Sequence, residues 1–243
     1  MNPQLVPVSA RGVRITLAMA LLATIPSTPL LAQDARARSG NEAEAVAALR
    51  SIAAAQEAFK AAAYIDTNCD GVGEYGYFAE LAGTVPMRVA VGNPCQPGAG
   101  SPADILNPPL LPSEFGHVRH RCVAHDGYFF EMFLPMPSAG GAVGGNSEDA
   151  TGGKTQAPFS DPGNGAGLWC CYAWPMRYLE SGRRAFFINQ RGFVLVDQNR
   201  MSSPYASLWG MPSFDCAYSS RDMRSPLNIW GVDPNGHLWR PLN

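Results

Sequence analysis

The sequence predicts an α+β domain in which one N-terminal helix lies across an antiparallel sheet of about four strands. Alanine-rich helical periodicity is concentrated between residues 41 and 65. Aromatic and β-branched runs separated by turn residues dominate residues 120–198. One helix followed by consecutive strands is typical of a domain whose helix covers one sheet face.

The N-terminal segment, residues 1–32, is predicted to be a signal peptide. Two arginines precede the apolar run Ile15–Ile25, which is too short to cross a bilayer core of about 30 Å. Prolines follow the run, and Ala32 offers a small residue at a cleavage point. The predicted mature chain, residues 33–243, is a single periplasmic or extracellular domain with no membrane span.

The predicted helix, about residues 41–65, has a start signal and an apolar stripe. Capping-box spacing is found for Ser39 with Glu42 or for Asn41 with Glu44, and the alanines favour the helical state. Apolar residues recur at steps of three and four, namely Ala45, Leu49, Ile52, Ala55, Phe59 and Ala62. Such a helix needs a covering sheet or helix.

Four aromatic and β-branched runs predict the sheet. They are Gly127–Pro135, Leu168–Pro175, Arg183–Gln190 and Gly192–Gln198. The Asn189–Gly192 stretch is typical of a tight turn, so the last two strands should be antiparallel neighbours. A long Gly/Pro-rich exposed loop is expected between the first two strands, and an irregular tail over residues 201–243.

Charge excludes two classes of partner. The formal net charge is −2 and only 16% of the residues are charged, which gives no attractive field for nucleic acid or for anionic lipid. The partner expected is therefore an envelope or extracellular protein whose identity the sequence does not give.

The cysteines are even in number, which in an exported chain predicts disulfides. They are Cys69, Cys95, Cys122, Cys170, Cys171 and Cys216. Fifteen connectivities are open to six cysteines. Cys170 and Cys171 should point to opposite sheet faces because strand side chains alternate.

The stretch after the helix predicts a calcium site. Asp66, Asn68 and Asp70 occupy positions one, three and five of a D-x-N-x-D-G pattern, and Glu74 is the only further acid nearby. Position twelve is Tyr77, so the loop is not an EF-hand. The alternative is a polar turn whose side chains cap their own backbone. Calcium is the only cofactor predicted.

The stretch "HVRHRCVAH" combines imidazoles with a thiol, a ligand set for transition metals. It contains His117, His120, Cys122 and His125, and it suggests an exported metalloenzyme as a third function. Strand alternation would separate His120 and Cys122 from the other two.

Exposed aromatic residues would instead serve a protein that binds glycans or small ligands, the second function considered. The candidates are Trp169, Tyr172, Trp174, Trp209, Trp230 and Trp239. Their alternative role is in the core and in strand pairing.

Several sequence segments, in their order along the chain, resemble the globular part of type IV pilin-like and pseudopilin-like proteins. The segments are "EAVAALRSIAAAQEAFKAAAYID", "DGVGEYGYFAELAG", "LNPPLLPSEFG", "GYFFEMFLP" and "CYAWPMRYLESGRRAFFINQRGFVLV", which cover most of Glu42 to Val196. The resemblance implies a pilin-like fold without catalytic residues, hence a non-enzymatic structural or interaction module of the cell envelope. It does not extend to the filament-forming N-terminus, since the apolar run here is broken by prolines.

Overall fold

The computed structural model describes Met1 and residues 30–137, 140–233 and 235–242. The apolar run of the predicted signal peptide therefore lies outside the described residues. Within the described part of the chain, no helix has both the length and the apolar character needed to cross a membrane.

The long helix, α1, spans Leu30–Ala61, so it begins and ends earlier than the predicted bounds of 41 and 65. The predicted stripe from Ala45 to Phe59 is buried, whereas Ala62 is exposed. Glu42 links the helix to the chain before residue 185 by accepting hydrogen bonds from the backbone N–H groups of Arg183 and Arg184, at 3.0 and 3.1 Å.

The predicted pilin-like layout, a spine helix on about four strands, is wrong. The structure is mostly sheet, with a seven-stranded antiparallel sheet and a separate two-stranded one. The small sheet has β1 (Val89–Val91) and β2 (Gln96–Gly98). The large sheet has β3 (Val123–His125), β4 (Tyr128–Pro135), β5 (Gly145–Ser147), β6 (Cys170–Pro175), β7 (Ala185–Asn189), β8 (Leu195–Asp197) and β9 (Trp239–Pro241).

The error has a simple physical reason. The four predicted strands are β4, β6, β7 and β8, and β7 does pair antiparallel with β8. The strands that were missed are three residues long, too short for a period of two to stand out. Several of them contain glycine or proline, which normally argue against a strand.

Both faces of the large sheet are covered. On one face, α1 packs in a core that includes Phe130 and Ile188. On the other, residues of the C-terminal tail such as Tyr205 and Trp239 form a second core over β6 and β7. The tail was expected to be irregular, and β9 is its only strand among the described residues, yet its residues supply part of the second core.

Two further helices are single turns, α2 (Phe78–Leu81) and α3 (Pro162–Gly165). The segment between β4 and β6, expected to be an exposed loop, contributes β5 and α3.

The outer edge of β4 is divided between two short strands. β3 pairs with Tyr128–Phe130, and β5 pairs with Phe133–Pro135. The facing ends of β3 and β5 therefore meet beside Glu131 and Met132. The chain leaves the sheet on both sides of this gap, and the groove described next lies there.

Candidate functional site

One wall of the groove is the tight turn Arg119–Cys122. The N–H of Arg119 donates to the carbonyl of Cys122 at 2.8 Å, and the N–H of Cys122 donates to the carbonyl of Arg119 at 3.0 Å. The two central residues, His120 and Arg121, have φ values of 53° and 70°. This left-handed conformation costs a residue with a side chain about 1–2 kcal/mol. Backbone strain of this kind is concentrated at functional sites.

The groove consists of two adjoining cavities of about 740 and 440 Å³. His120 and Ala150 line both cavities. The larger cavity runs between the segment Gly116–His120 and the pair Ala150 and Thr151. The smaller one continues past Arg121 to the turn that carries Trp209. The groove is therefore elongated, with one cationic and one aromatic wall.

The aromatic wall is the turn Ala206–Gly210, which is held by hydrogen bonds. Ala206 and Gly210 exchange backbone hydrogen bonds of 3.1 and 3.0 Å, and the carbonyl of Ser207 accepts the indole N–H of buried Trp174 at 2.8 Å. Trp209 at its tip is 98% exposed. Leu208 and Met211, on either side, pack against the second core. The backbone that carries the exposed indole is thus fixed by its partly buried neighbours.

The cationic wall forms no direct ion pair, although the Arg121 guanidinium lies close enough to buried Glu131 to lower the pKa of that carboxyl. His117, Arg119, His120 and Arg121 are all exposed, and among the described residues none of them forms an ion pair with a carboxylate. The described residues that line the two cavities include no aspartate or glutamate. This wall therefore offers positive charge to a ligand.

Two buried carboxyl groups lie near the groove. Burial raises the pKa of Glu131 to about 7, although the hydroxyl of Ser147 donates to it at 2.8 Å. Burial also raises the pKa of Glu148 to about 8, against the hydrogen bonds that it accepts from the N–H groups of Gly153 and Ala79. Glu148 thereby fastens the loop after β5 to the first turn of α2.

A buried ionic cluster centres on Arg88. Its side chain is 1% exposed and pairs with Glu80 at 3.0 Å and with Glu74 at 3.6 Å. It also donates to the carbonyl of Tyr75 at 2.7 Å and to the hydroxyl of Ser160. The cluster joins α2 to the loop before α3, and its residues are not among those that line the groove.

The four residues of the predicted calcium site lie in two different places. Asp66 accepts the N–H groups of Asp70 and Gly71 at 3.1 and 2.9 Å, and Asn68 donates to the Asp70 carboxylate at 2.8 Å. Glu74 is buried and accepts from the N–H of Thr67 at 2.6 Å. The loop side chains thus cap their own turn, as in the alternative interpretation, and Glu74 faces the Arg88 cluster.

Calcium binding by this loop remains a prediction. A hundredfold excess over Kd would stabilise the fold by about 2.7 kcal/mol, which raises the melting temperature by roughly 5–10 °C. The Asp70→Ala variant should lose the calcium-dependent increment and still fold. Equal melting temperatures in millimolar calcium and in chelator would show that the loop is only a capped turn.

The cysteines form one disulfide, between Cys69 and Cys95 with Cα atoms 6.0 Å apart. The other four cysteines, Cys122, Cys170, Cys171 and Cys216, are buried free thiols. Cys171 belongs to the core under α1 and Cys170 to the opposite one, which confirms their predicted orientation.

The histidines of "HVRHRCVAH" are not gathered at one point. His125 lies 3.2 Å from Glu114 and 3.3 Å from Asp126, whereas His117 and His120 line the groove. Among the described residues, no three or more His, Cys, Asp or Glu side chains are placed to share a metal ion.

The six aromatic candidates divide clearly. Trp169, Tyr172, Trp174 and Trp239 are fully buried, so four of them are core residues. Trp209 lines the groove. Trp230 is 71% exposed elsewhere, with the guanidinium of Arg240 at 4.7 Å from its ring.

Sequence reasoning missed Arg88, Glu131, Glu148 and the Ala150–Thr151 floor of the groove. The two arginines among the histidines of "HVRHR" are the sequence signal for the groove, although the same stretch also offers ligand types for a transition metal.

Comparison with known proteins adds no relative. No protein-family profile matches the chain, and neither the curated proteins nor the solved structures yielded a similar protein. The resemblance to pilin-like sequences therefore stays a prediction.

Proposed function

We propose that this chain is an exported, non-catalytic binding module of the cell envelope or its surroundings that holds an acidic glycan in the groove. The observation that carries the proposal is the strained turn Arg119–Cys122, whose two exposed arginines form no direct ion pair among the described residues, placed near an almost fully exposed Trp209 along one elongated groove.

The cationic wall selects the charge of the ligand. Arg119 and Arg121 present planar guanidinium groups, which bind carboxylates through two parallel hydrogen bonds. Acidic sugar residues carry such carboxylates at regular intervals. Two arginines can pair with the carboxylates of one or two acidic sugar units, whereas the affinity of nucleic acid depends on many phosphate contacts.

The aromatic wall selects a ligand with a flat apolar face. Trp209 is 98% exposed, and covering one face of an aromatic side chain, about half of its 150–250 Å², gains roughly 2–3 kcal/mol before the costs of association, at about 25 cal/mol per Å². The apolar face of a sugar ring can cover an indole in this way.

The chemistry of the lining supports binding rather than catalysis. General acid–base catalysis needs a proton donor or acceptor held by an orienting partner. The imidazoles of His117 and His120 line the groove, but no carboxylate among the described lining residues orients them. Thr151 is the one hydroxyl-bearing side chain there.

Titration calorimetry with polygalacturonate tests the proposal, with a neutral dextran as the comparison polymer. We expect binding to the acidic polymer alone, weakened by salt because exposed charges are screened. Trp209→Ala should weaken binding at least tenfold, and Arg121→Ala should reduce both the affinity and its salt dependence.

The matched controls are Trp230→Ala and Arg191→Ala, which remove exposed residues of the same types outside this groove. Both should bind like the wild-type chain. Equal binding of dextran, or equal losses in Trp209→Ala and Trp230→Ala, would refute the groove as the binding site.

A further inference from the structure

We propose that a further cavity, called here the apolar cavity, binds the hydrocarbon chain of a fatty carboxylate and pairs its head group with Arg191. The cavity has a volume of about 580 Å³, within the range of about 300–1,000 Å³ that is typical of small-molecule sites. It lies between the turn 191–194, the tail segment 226–229 and residues 241–242. The groove and the apolar cavity share no lining residue, so this site is independent of the proposed glycan-binding role.

The lining of the apolar cavity continues the second core of the protein. Leu195 is 1% exposed and belongs to that core, and Leu227 and Ile229 are partly buried against it. Val194 and Leu242 add contacts from the core under α1. The cavity is therefore an opening into packed apolar side chains, which extends both cores towards solvent.

The solvent side of this opening is apolar as well. Phe193 is 68% exposed, and Pro226 and Pro241 are exposed beside it in the lining. Among the described lining residues, only Arg191 has a polar side chain. Contiguous apolar surface of this kind is typical of a binding site, and its occupant must cover it with apolar atoms.

The walls suit a hydrocarbon chain better than a peptide. A bound strand pairs with backbone N–H and C=O groups, but Pro226 and Pro241 have no N–H. The carbonyl of Pro226 already accepts from the N–H of Ser219 at 2.9 Å, and the carbonyl of Val194 accepts from the N–H of Leu242 at 2.9 Å. These bonds also hold the walls in place, so the cavity is preformed for a chain that makes no hydrogen bonds.

Arg191 selects the head group of the ligand. Its backbone is fixed, since its N–H donates to the Asn189 side chain at 3.1 Å. Its side chain is exposed and, in the described part of the chain, forms no ion pair with a carboxylate. The described lining residues include no aspartate or glutamate. A guanidinium binds a carboxylate through two parallel hydrogen bonds, so an alkyl chain that ends in a carboxylate matches this lining.

A second copy of the chain is a poorer occupant. In a two-fold dimer the same patch meets itself, so two Arg191 side chains would come to one interface without an acidic partner from the lining. A stable interface also covers about 800 Å² on each partner, whereas a single alkyl chain fills one cavity.

Titration calorimetry with octanoate, decanoate and dodecanoate, each below its micelle concentration, tests the proposal on the folded chain with its disulfide intact. We expect one ligand per chain, with an affinity that rises about fourfold for each CH₂ group that enters the cavity. Decanol should bind up to about fivefold more weakly than decanoate, because it lacks the charge. Phe193→Ala should weaken all these ligands at least about fivefold. Arg191→Gln should weaken decanoate and leave decanol unchanged.

Trp209→Ala and Arg121→Ala are the matched controls, because they remove exposed residues of similar types that line the groove and not the apolar cavity. Both should bind decanoate as the wild type does, and melting curves should show that each variant is folded. Phe193→Ala should keep its binding of polygalacturonate, so the two proposals fail separately.

Three results would each overturn the assignment: no binding of decanoate, equal affinities for the three chain lengths, or equal losses in Phe193→Ala and Trp209→Ala. Sedimentation gives a fourth. A dimer that Phe193→Ala dissociates would identify the apolar cavity as a contact between copies of the chain instead.

Discussion

Replacing Arg88 by methionine is expected to lower the free energy of unfolding by about 3–5 kcal/mol, the cost of removing one partner from a buried ion pair. Arg88 is 1% exposed and faces the carboxylates of Glu80 and Glu74. Methionine fills much of the volume but leaves both acids buried without their cation. The hydroxyl of Ser160 loses its partner as well.

Urea denaturation at pH 7 measures this effect. Arg177→Met is the matched control, because Arg177 pairs with Glu180 at the surface with both side chains at least 70% exposed, and such pairs contribute about 0–1 kcal/mol. The double variant Arg88→Met/Glu80→Gln should recover part of the loss, since it removes one uncompensated charge. A loss below about 1 kcal/mol in Arg88→Met would contradict the role assigned to the cluster.

The second large effect is a fall in stability with rising pH that Glu148 causes. Its pKa is raised from 4.5 to about 8 by burial. Between these values the folded chain holds a proton that the unfolded chain releases, so stability falls by up to about 1.4 kcal/mol per pH unit. This contribution is complete below about pH 4.5 and is lost as the pH rises towards 8.

Glu148→Gln should remove this component, because glutamine keeps an oxygen for the N–H groups of Gly153 and Ala79 and carries no charge. Urea denaturation from pH 5 to pH 8 measures the free energy of unfolding of both proteins. The difference, variant minus wild type, should rise by about 2–3 kcal/mol between pH 5 and pH 7. Glu44→Gln, at an exposed helix position, should follow the wild-type curve. Parallel curves for wild type and Glu148→Gln would contradict the raised pKa.

The elements that the sequence predicts are those in which many residues repeat one pattern. The stripe from Ala45 to Phe59 repeats over the second half of α1, and β4 and β6 are long apolar strands. Alternation placed Cys170 and Cys171 on opposite sheet faces because only their neighbours along the chain matter for that orientation.

The rest depends on contacts between distant segments. Trp209 and Trp239 belong to the same residue type and the same tail, yet one is 98% exposed and the other fully buried. Nothing local to either residue distinguishes them. The groove likewise combines residues 116–121, 150–151 and 208, 209 and 211, and the partners of Arg88 come from three separate segments.

The divided edge of β4 also bears on self-association. β4 is an eight-residue strand, and a long apolar strand with a free edge recruits strands from other molecules. Here three-residue β3 and β5 share that edge, while three-residue β9, which contains a proline, closes the opposite margin. Neither margin offers a long straight ladder to a second molecule, so the large sheet resists growing into a fibril even though its central strands are strongly apolar.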